Sequence, residues 1–160
     1  MIDKIDRKLI TLLQQNARTP LKQLAGKVYL SSPATAARIE KLEKEGIISG
    51  YQANVDLKRA GFPIVAFVRV DLLPTQKPEF YPYICEHPHV LECYCVTGHY
   101  SQLLKVAFES TEALDSFINE LQRFGSTETQ IAFSNPKEPC GIGLEKIGEI
   151  SDQSGSDLME

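Results

Sequence analysis

The sequence predicts an α+β chain in two parts, three helices with a small hairpin followed by a β-α-β-β-α-β unit. Three observations predict it. Apolar residues recur at helical spacing up to Gly46 and in strand-like runs from Phe62 onward. Turn-forming residues, notably Pro74, Pro78 and Gly98, punctuate the second part between its runs. Charge divides along the same line: residues 1–60 carry eleven basic against six acidic residues, a net +5, whereas residues 61–160 sum to −9.

The three helices come first. Ile5, Leu9, Leu12 and Leu13 lie on one helical face, with Asp3 placed to cap the start. A second helix opens at Pro20 and turns Leu21, Leu24, Ala25 and Val28 inward. After a short turn at Tyr29-Leu30, Ser31-Ser32-Pro33 supplies caps and a first-turn proline for a third helix. That helix buries Thr35, Ile39 and Leu42 and stops at Gly46. Residues 47–55 hold the β-branched and turn residues of a small hairpin. Helix, helix, short turn, helix, wing is the order of a winged helix-turn-helix, here residues 1–60 with a linker.

The second part spans residues 61–138. Strands are expected at 64–72, 90–97, 103–109 and 127–133, and helices at 80–86 and 111–124. This is the ferredoxin-like order, a four-stranded antiparallel sheet with both helices on one face. The other face needs a cover, and a second copy of the chain supplies one. Residues 139–160 are expected to form an extension whose last ten residues, polar and acidic, are disordered.

Composition sets the outer bounds. With 160 residues, 42% hydrophobic and 24% charged, the chain has an ordinary globular profile. No apolar run reaches the roughly 18 residues of a membrane span, and the charged start does not lead into a secretion signal. Cys85, Cys93, Cys95 and Cys140 fit neither a disulfide framework nor a zinc pattern, so reduced thiols in the cytoplasm are expected. His87 and His89 sit among these cysteines, but no CxxC or HxxxH spacing organises them, which reads as buried thiols and loop histidines. No catalytic residue, metal or cofactor is expected.

The overall net charge of −4 argues against nucleic acid until it is divided. The third helix is the candidate reading head for double-stranded DNA. With its apolar stripe turned inward, Ser32, Pro33, Ala36, Ala37, Arg38 and Lys41 face outward. Among them Arg38 has the fork that pairs with guanine, and Ser32 can make one hydrogen bond. Two alanines amid this face form a poor code, so selectivity should lean on DNA shape. The competing account, a three-helix packing unit with solvated charges, is outweighed by the local +5.

Two blocks of residues resemble a known family. Asp3-Lys4-Ile5-Asp6-Arg7-Lys8-Leu9-Ile10, Leu13-Gln14-Gln15-Asn16-Ala17-Arg18 and Ser32-Pro33-Ala34 through Arg38-Ile39-Glu40-Lys41-Leu42-Glu43-Lys44-Glu45-Gly46-Ile47-Ile48 resemble the DNA-binding domain of Lrp/AsnC transcriptional regulators. Val90-Leu91-Glu92-Cys93-Tyr94-Cys95-Val96-Thr97-Gly98-His99-Tyr100 and Leu103-Leu104-Lys105-Val106 resemble its effector domain. The resemblance covers about residues 2–136 and implies a homodimer, often built into octamers, under control of small molecules that are commonly amino acids. It places the effector in a cleft between neighbouring effector domains, against Thr97, Gly98, His99, Tyr100, Ser101 and Gln102 and against Ser126, Thr127, Glu128 and Thr129. A glycine there lets backbone N–H groups approach a carboxylate, and hydroxyls complete the nest.

His99 and Ser101 depart from the acidic residues usual in that family. The departure removes a partner for an α-ammonium unless Glu128 replaces it. A different ligand, or a regulator that has lost sensing, stays open. So does a sirohaem-decarboxylase-like enzyme of the same architecture, for which His99, His87 and His89 would grip the macrocycle's carboxylates.

Overall fold

The computed structural model describes residues 2–145, which divide into two compact units, residues 54–136 and residues 2–53 together with 137–145. The division falls before the expected boundary at residue 60. The described residues 137–145 group with the first unit, and the expected disordered segment 151–160 lies outside the described residues.

The first unit is helical. Helix α1 (Lys4–Gln15) opens with a capping box in which Asp3 Oδ1 accepts from the Asp6 N–H at 2.8 Å and Asp6 Oδ2 accepts from the Asp3 N–H at 3.1 Å. Helix α2 (Leu21–Val28) follows Pro20, and α3 (Ser32–Lys44) starts where the Ser31 hydroxyl accepts from the Ala34 N–H. Leu9, Leu24 and Val28 form the core, with Ile5, Leu12, Leu13, Leu30 and Ile39 packed around it. Thr35 is fully buried because its hydroxyl donates to the Ser31 carbonyl at 3.0 Å.

Residues 47–55 do not form the expected hairpin and contain no strand. The N–H groups of Ile47 and Ile48 both return to the Leu42 carbonyl, at 2.9 and 3.1 Å, so they serve the end of α3 instead of a ladder. Ile47, Tyr51 and Val55 are exposed, which leaves a two-stranded ribbon no apolar face to bury. Tyr51 instead donates to Glu43 Oε1 at 2.7 Å and ties the segment to α3.

The second unit has the expected β-α-β-β-α-β order. Strands β1 (Ile64–Leu72), β2 (Val90–Cys95), β3 (Gln102–Phe108) and β4 (Gly125–Ile131) form an antiparallel sheet in the order β2-β3-β1-β4. Helix α4 (Lys77–Glu86) follows a 3-10 turn at Pro74–Gln76, and α5 (Thr111–Leu121) begins at a Ser110 cap. Ala66, Val68, Val70 and Leu72 alternate along β1 toward Phe80, Ile84, Leu114, Phe117, Leu121 and Phe124, and this is the main core. The opposite sheet face carries Phe67, Arg69 and Asp71 of β1, Leu103 and Lys105 of β3, and Tyr94 of β2.

Candidate nucleic-acid interface and effector turn

On α3 the buried side chains are Thr35 and Leu42, with Ile39 half-buried beside them. Pro33, Ala37 and Lys41 are exposed, and Ser32 and Ala36 are partly so, which places the expected outward residues on the outer side. Lys41 makes a loose 3.8 Å contact with Glu45, an exposed pair that holds it weakly.

Arg38, expected to pair with guanine, is engaged inside the first unit. Its Nη1 lies 2.6 Å from Asp3 Oδ2 and 2.7 Å from Asp6 Oδ1, so the guanidinium is inserted into the capping box that opens α1. The Asp6 side chain is 8% exposed. Turning Arg38 toward a base would strand that carboxylate without its cation, a costly state for a buried charge. The Asp6 backbone N–H and then Arg38 hold the Asp3 carboxyl below its ordinary value, and the two aspartates hold the guanidinium above its own. In this arrangement Arg38 ties α3 to the start of α1. Its thirty-five-residue separation from Asp3 is why helical spacing alone pointed it at DNA.

In the second unit, the Val96 N–H donates to the Ser101 carbonyl at 2.9 Å and closes the turn between β2 and β3, with Gly98 at φ +107°. The His99 ring is mostly exposed and lies edge-on to Tyr100 with centroids 5.0 Å apart. Its Nε2 is 3.7 Å from Asp71 Oδ2. Asp71 is paired in register with Ser126 of β4, so it bridges the turn and the start of the last strand. The sequence reading missed Asp71, which belongs to neither motif block.

Glu128, expected to replace the turn carboxylate, is already engaged: its Oε1 is 3.2 Å from Arg69 Nη1, directly opposite in the sheet. Thr127 and Thr129 pair with Val70 and Val68 and share the helix-covered face with Gln102. Among the described residues, the buried side-chain polar atoms with no protein partner are Ser101 Oγ, Gln102 Nε2 and Thr129 Oγ1. All three belong to the ten residues singled out for effector binding. An unpaired buried polar atom costs stability unless a ligand or water answers it.

The cysteine and histidine cluster is spread over the end of α4 and strand β2. Cys85, Cys93 and Cys95 are exposed, contrary to the buried thiols expected, and among the described residues no group of three ligands gathers. The imidazoles act as core aromatics: His89 stacks on Phe108 at 4.4 Å, its Nδ1 lies 2.8 Å from the Ala107 carbonyl, and His87 packs on Phe117 at 4.6 Å. Burial, with His89 alongside, pushes the His87 imidazole below its ordinary value.

Comparison with known proteins agrees with both units. Residues 2–49 match the winged helix-turn-helix DNA-binding family, and residues 65–142 match the Lrp/AsnC ligand binding domain. The HTH-type transcriptional regulator LrpC of Bacillus subtilis (strain 168) is 33% identical over 142 residues, spanning 89% of this chain and 99% of its own. Its solved structure superposes with a TM-score of 0.83 at 32% identity, over 87% of this chain and 99% of that one. Regulatory protein AsnC of Escherichia coli (strain K12) is 34% identical over 141 residues, 85% of this chain and 93% of its own. The transcriptional regulator NMB0573 of Neisseria meningitidis, solved as an L-Met complex, gives a TM-score of 0.85 at 25% identity over 92% of this chain and 99% of that one. These relatives set the chain among transcriptional regulators. By its sequence and by the order of its two units, the chain belongs to the Lrp/AsnC family of HTH-type transcriptional regulators.

Proposed function

We propose that this regulator binds double-stranded DNA through the outer side of α3, with Ser32, Pro33, Ala36, Ala37 and Lys41 facing the groove. Arg38 acts from behind by fixing the helix. Ser32 and Lys41 are the polar side chains on that side, so the protein reads DNA mainly through backbone charge and shape. It works in the cytoplasm as a homodimer or a larger even-numbered assembly such as an octamer. On the open sheet face, Arg69 pairs with Glu128 and Lys105 with Glu92 at 2.9 Å, while Phe67 and Tyr94 stay exposed. A face whose charges are already paired can be covered by a second copy without stranding an ion.

The effector is an amino acid held by the 97–102 turn and the 126–129 segment. The observation that carries this is the buried, unpaired Ser101 hydroxyl in the turn where His99 and Asp71 meet, whereas Gln102 Nε2 and Thr129 Oγ1 lie on the helix-covered face of the sheet. Asp71 supplies the acceptor for the α-ammonium, the part that residues 99 and 101 do not play and that Glu128 cannot play while it holds Arg69. The L-Met complex of the Neisseria relative supports the ligand class.

Two measurements test the proposal. DNA affinity should fall steeply with salt, and affinity indifferent to salt would contradict the charge argument. A thermal-shift screen of the common amino acids at millimolar concentration should find one that raises the midpoint, with the rise abolished in Asp71→Asn. If none binds, the effector assignment is wrong while the DNA assignment stands.

A further inference from the structure

Helices α2 and α3 end in the same hydrogen-bonded motif. At the end of α3 the N–H of Gly46 reaches the Glu43 carbonyl and that of Ile47 the Leu42 carbonyl. At the end of α2 the N–H of Tyr29 reaches the Gly26 carbonyl at 3.4 Å and that of Leu30 the Ala25 carbonyl at 3.0 Å. Both motifs need one residue in the left-handed region. The first fills it with Gly46 at φ +69°, the second with Tyr29 at φ +57° and ψ +40°. Among the described residues Tyr29 is the one non-glycine at positive φ, where a bulky side chain is strained.

Nothing inside the unit offsets that strain. The Tyr29 side chain is 89% exposed and contributes nothing to the core, whereas its neighbour Leu30 packs inward. Its one ring contact is the Lys8 ammonium, 5.6 Å from the ring centroid, and such exposed cation–π contacts are weak. Its place decides what the ring is for. Tyr29 stands in the turn two residues before the Ser31 cap, where the chain enters the reading helix, with a cation from α1 beside it. In helix-turn-helix proteins that entry runs along the DNA backbone, and tyrosine hydroxyls are among the groups that bind phosphate oxygens.

We propose that Tyr29 is a DNA-contacting residue whose phenol O–H donates to a backbone phosphate beside the groove that α3 enters, with Lys8 holding the ring over that phosphate. The assignment rests on the DNA-binding reading above. It adds a contact outside α3, made by a residue that the fold itself would be better off without. A phosphate contact carries no sequence information, so Tyr29 sets affinity and register and leaves base preference alone.

The test uses the full chain and a labelled random-sequence duplex, with binding and thermal midpoints measured for wild type, Tyr29→Gly and Tyr29→Phe. Tyr29→Gly should raise the midpoint by a few degrees through relief of the left-handed strain, yet weaken binding about 3–10-fold. Tyr29→Phe should keep the wild-type midpoint and show the same loss of affinity, because it removes the hydroxyl alone. The salt slope should stay unchanged in both, since a neutral phenol displaces no counterion. Wild-type affinity in both variants would overturn the assignment while leaving the DNA-binding reading intact. Wild-type protein that binds no duplex would overturn both.

Discussion

Arg38 shows how one side chain can serve a site from behind it. Removing it leaves the nearly buried Asp6 carboxylate without its cation and frees α3 from α1. Arg38→Ala should cost about 1–3 kcal/mol in urea denaturation and weaken binding to all duplexes alike, with an unchanged motif in a binding-site selection. A broadened motif would restore Arg38 as a base reader. Gly125 is constrained more simply, by space. It opens β4 at φ +155°, and a Cβ there would overlap the Asp71 carbonyl oxygen, which is backbone and moves only at a cost. Gly125→Ala should therefore lower stability by at least about 1–3 kcal/mol and, because Asp71 must shift, blunt any amino-acid response. An effect confined to stability would separate Asp71 from the effector site.

At the scale of elements, the second unit was legible where burial alternates. The β1 alternation over 64–72 reads directly as a strand because one face meets the helices. Helix α4 was harder: Pro78 looks like a loop residue but sits in the first turn, where its missing N–H costs nothing, so the helix starts at Lys77 and not near Phe80. The hairpin expected at 47–55 is not formed, since Ile47, Tyr51 and Val55 stay exposed and Ile47 and Ile48 give their N–H groups to the end of α3. The turn at 97–102 was legible as a stretch of sequence, but the placement of Asp71 beside it and the engagement of Glu128 were not, because strand register creates both. The segment joining α4 to β2 makes a pH prediction. Burial, then His89 alongside, lowers the His87 imidazole in the fold, while the unfolded chain takes up its proton near 6.5. The unfolded state thus binds more protons as pH falls through 6.5, and stability present above that pH is lost below it. Urea midpoints at about pH 7.5 and about pH 5.5 should differ, and His87→Phe, which keeps a ring against Phe117, should shrink the difference. An undiminished pH effect in that variant would assign it elsewhere.

For the whole molecule, the proposed function gives each part its own partner, DNA for the basic residues 1–60 and another copy of the chain for the open sheet face. Phe67→Asp places an unpaired carboxylate in the middle of that face, since β1 lies between β3 and β4. Light scattering should then report a mass reduced at least twofold, with each chain still folded by circular dichroism, and an unchanged mass would place the self-contact on another surface. DNA affinity should drop with it, because two reading heads would no longer bind as one ligand.

The strand order has a kinetic consequence as well. In the order β2-β3-β1-β4 the one pair of neighbours adjacent in sequence is β2 with β3, while β1 waits for chain that follows it by some thirty to sixty residues. Local pairs close fastest, so the β2–β3 hairpin is the natural seed of the sheet, and the residues that close it are those of the effector turn. Substitutions between Thr97 and Ser101 should then slow refolding as well as alter response. Variants isolated for deafness to a ligand will include some that are simply late to fold, and stopped-flow refolding rates would sort one kind from the other.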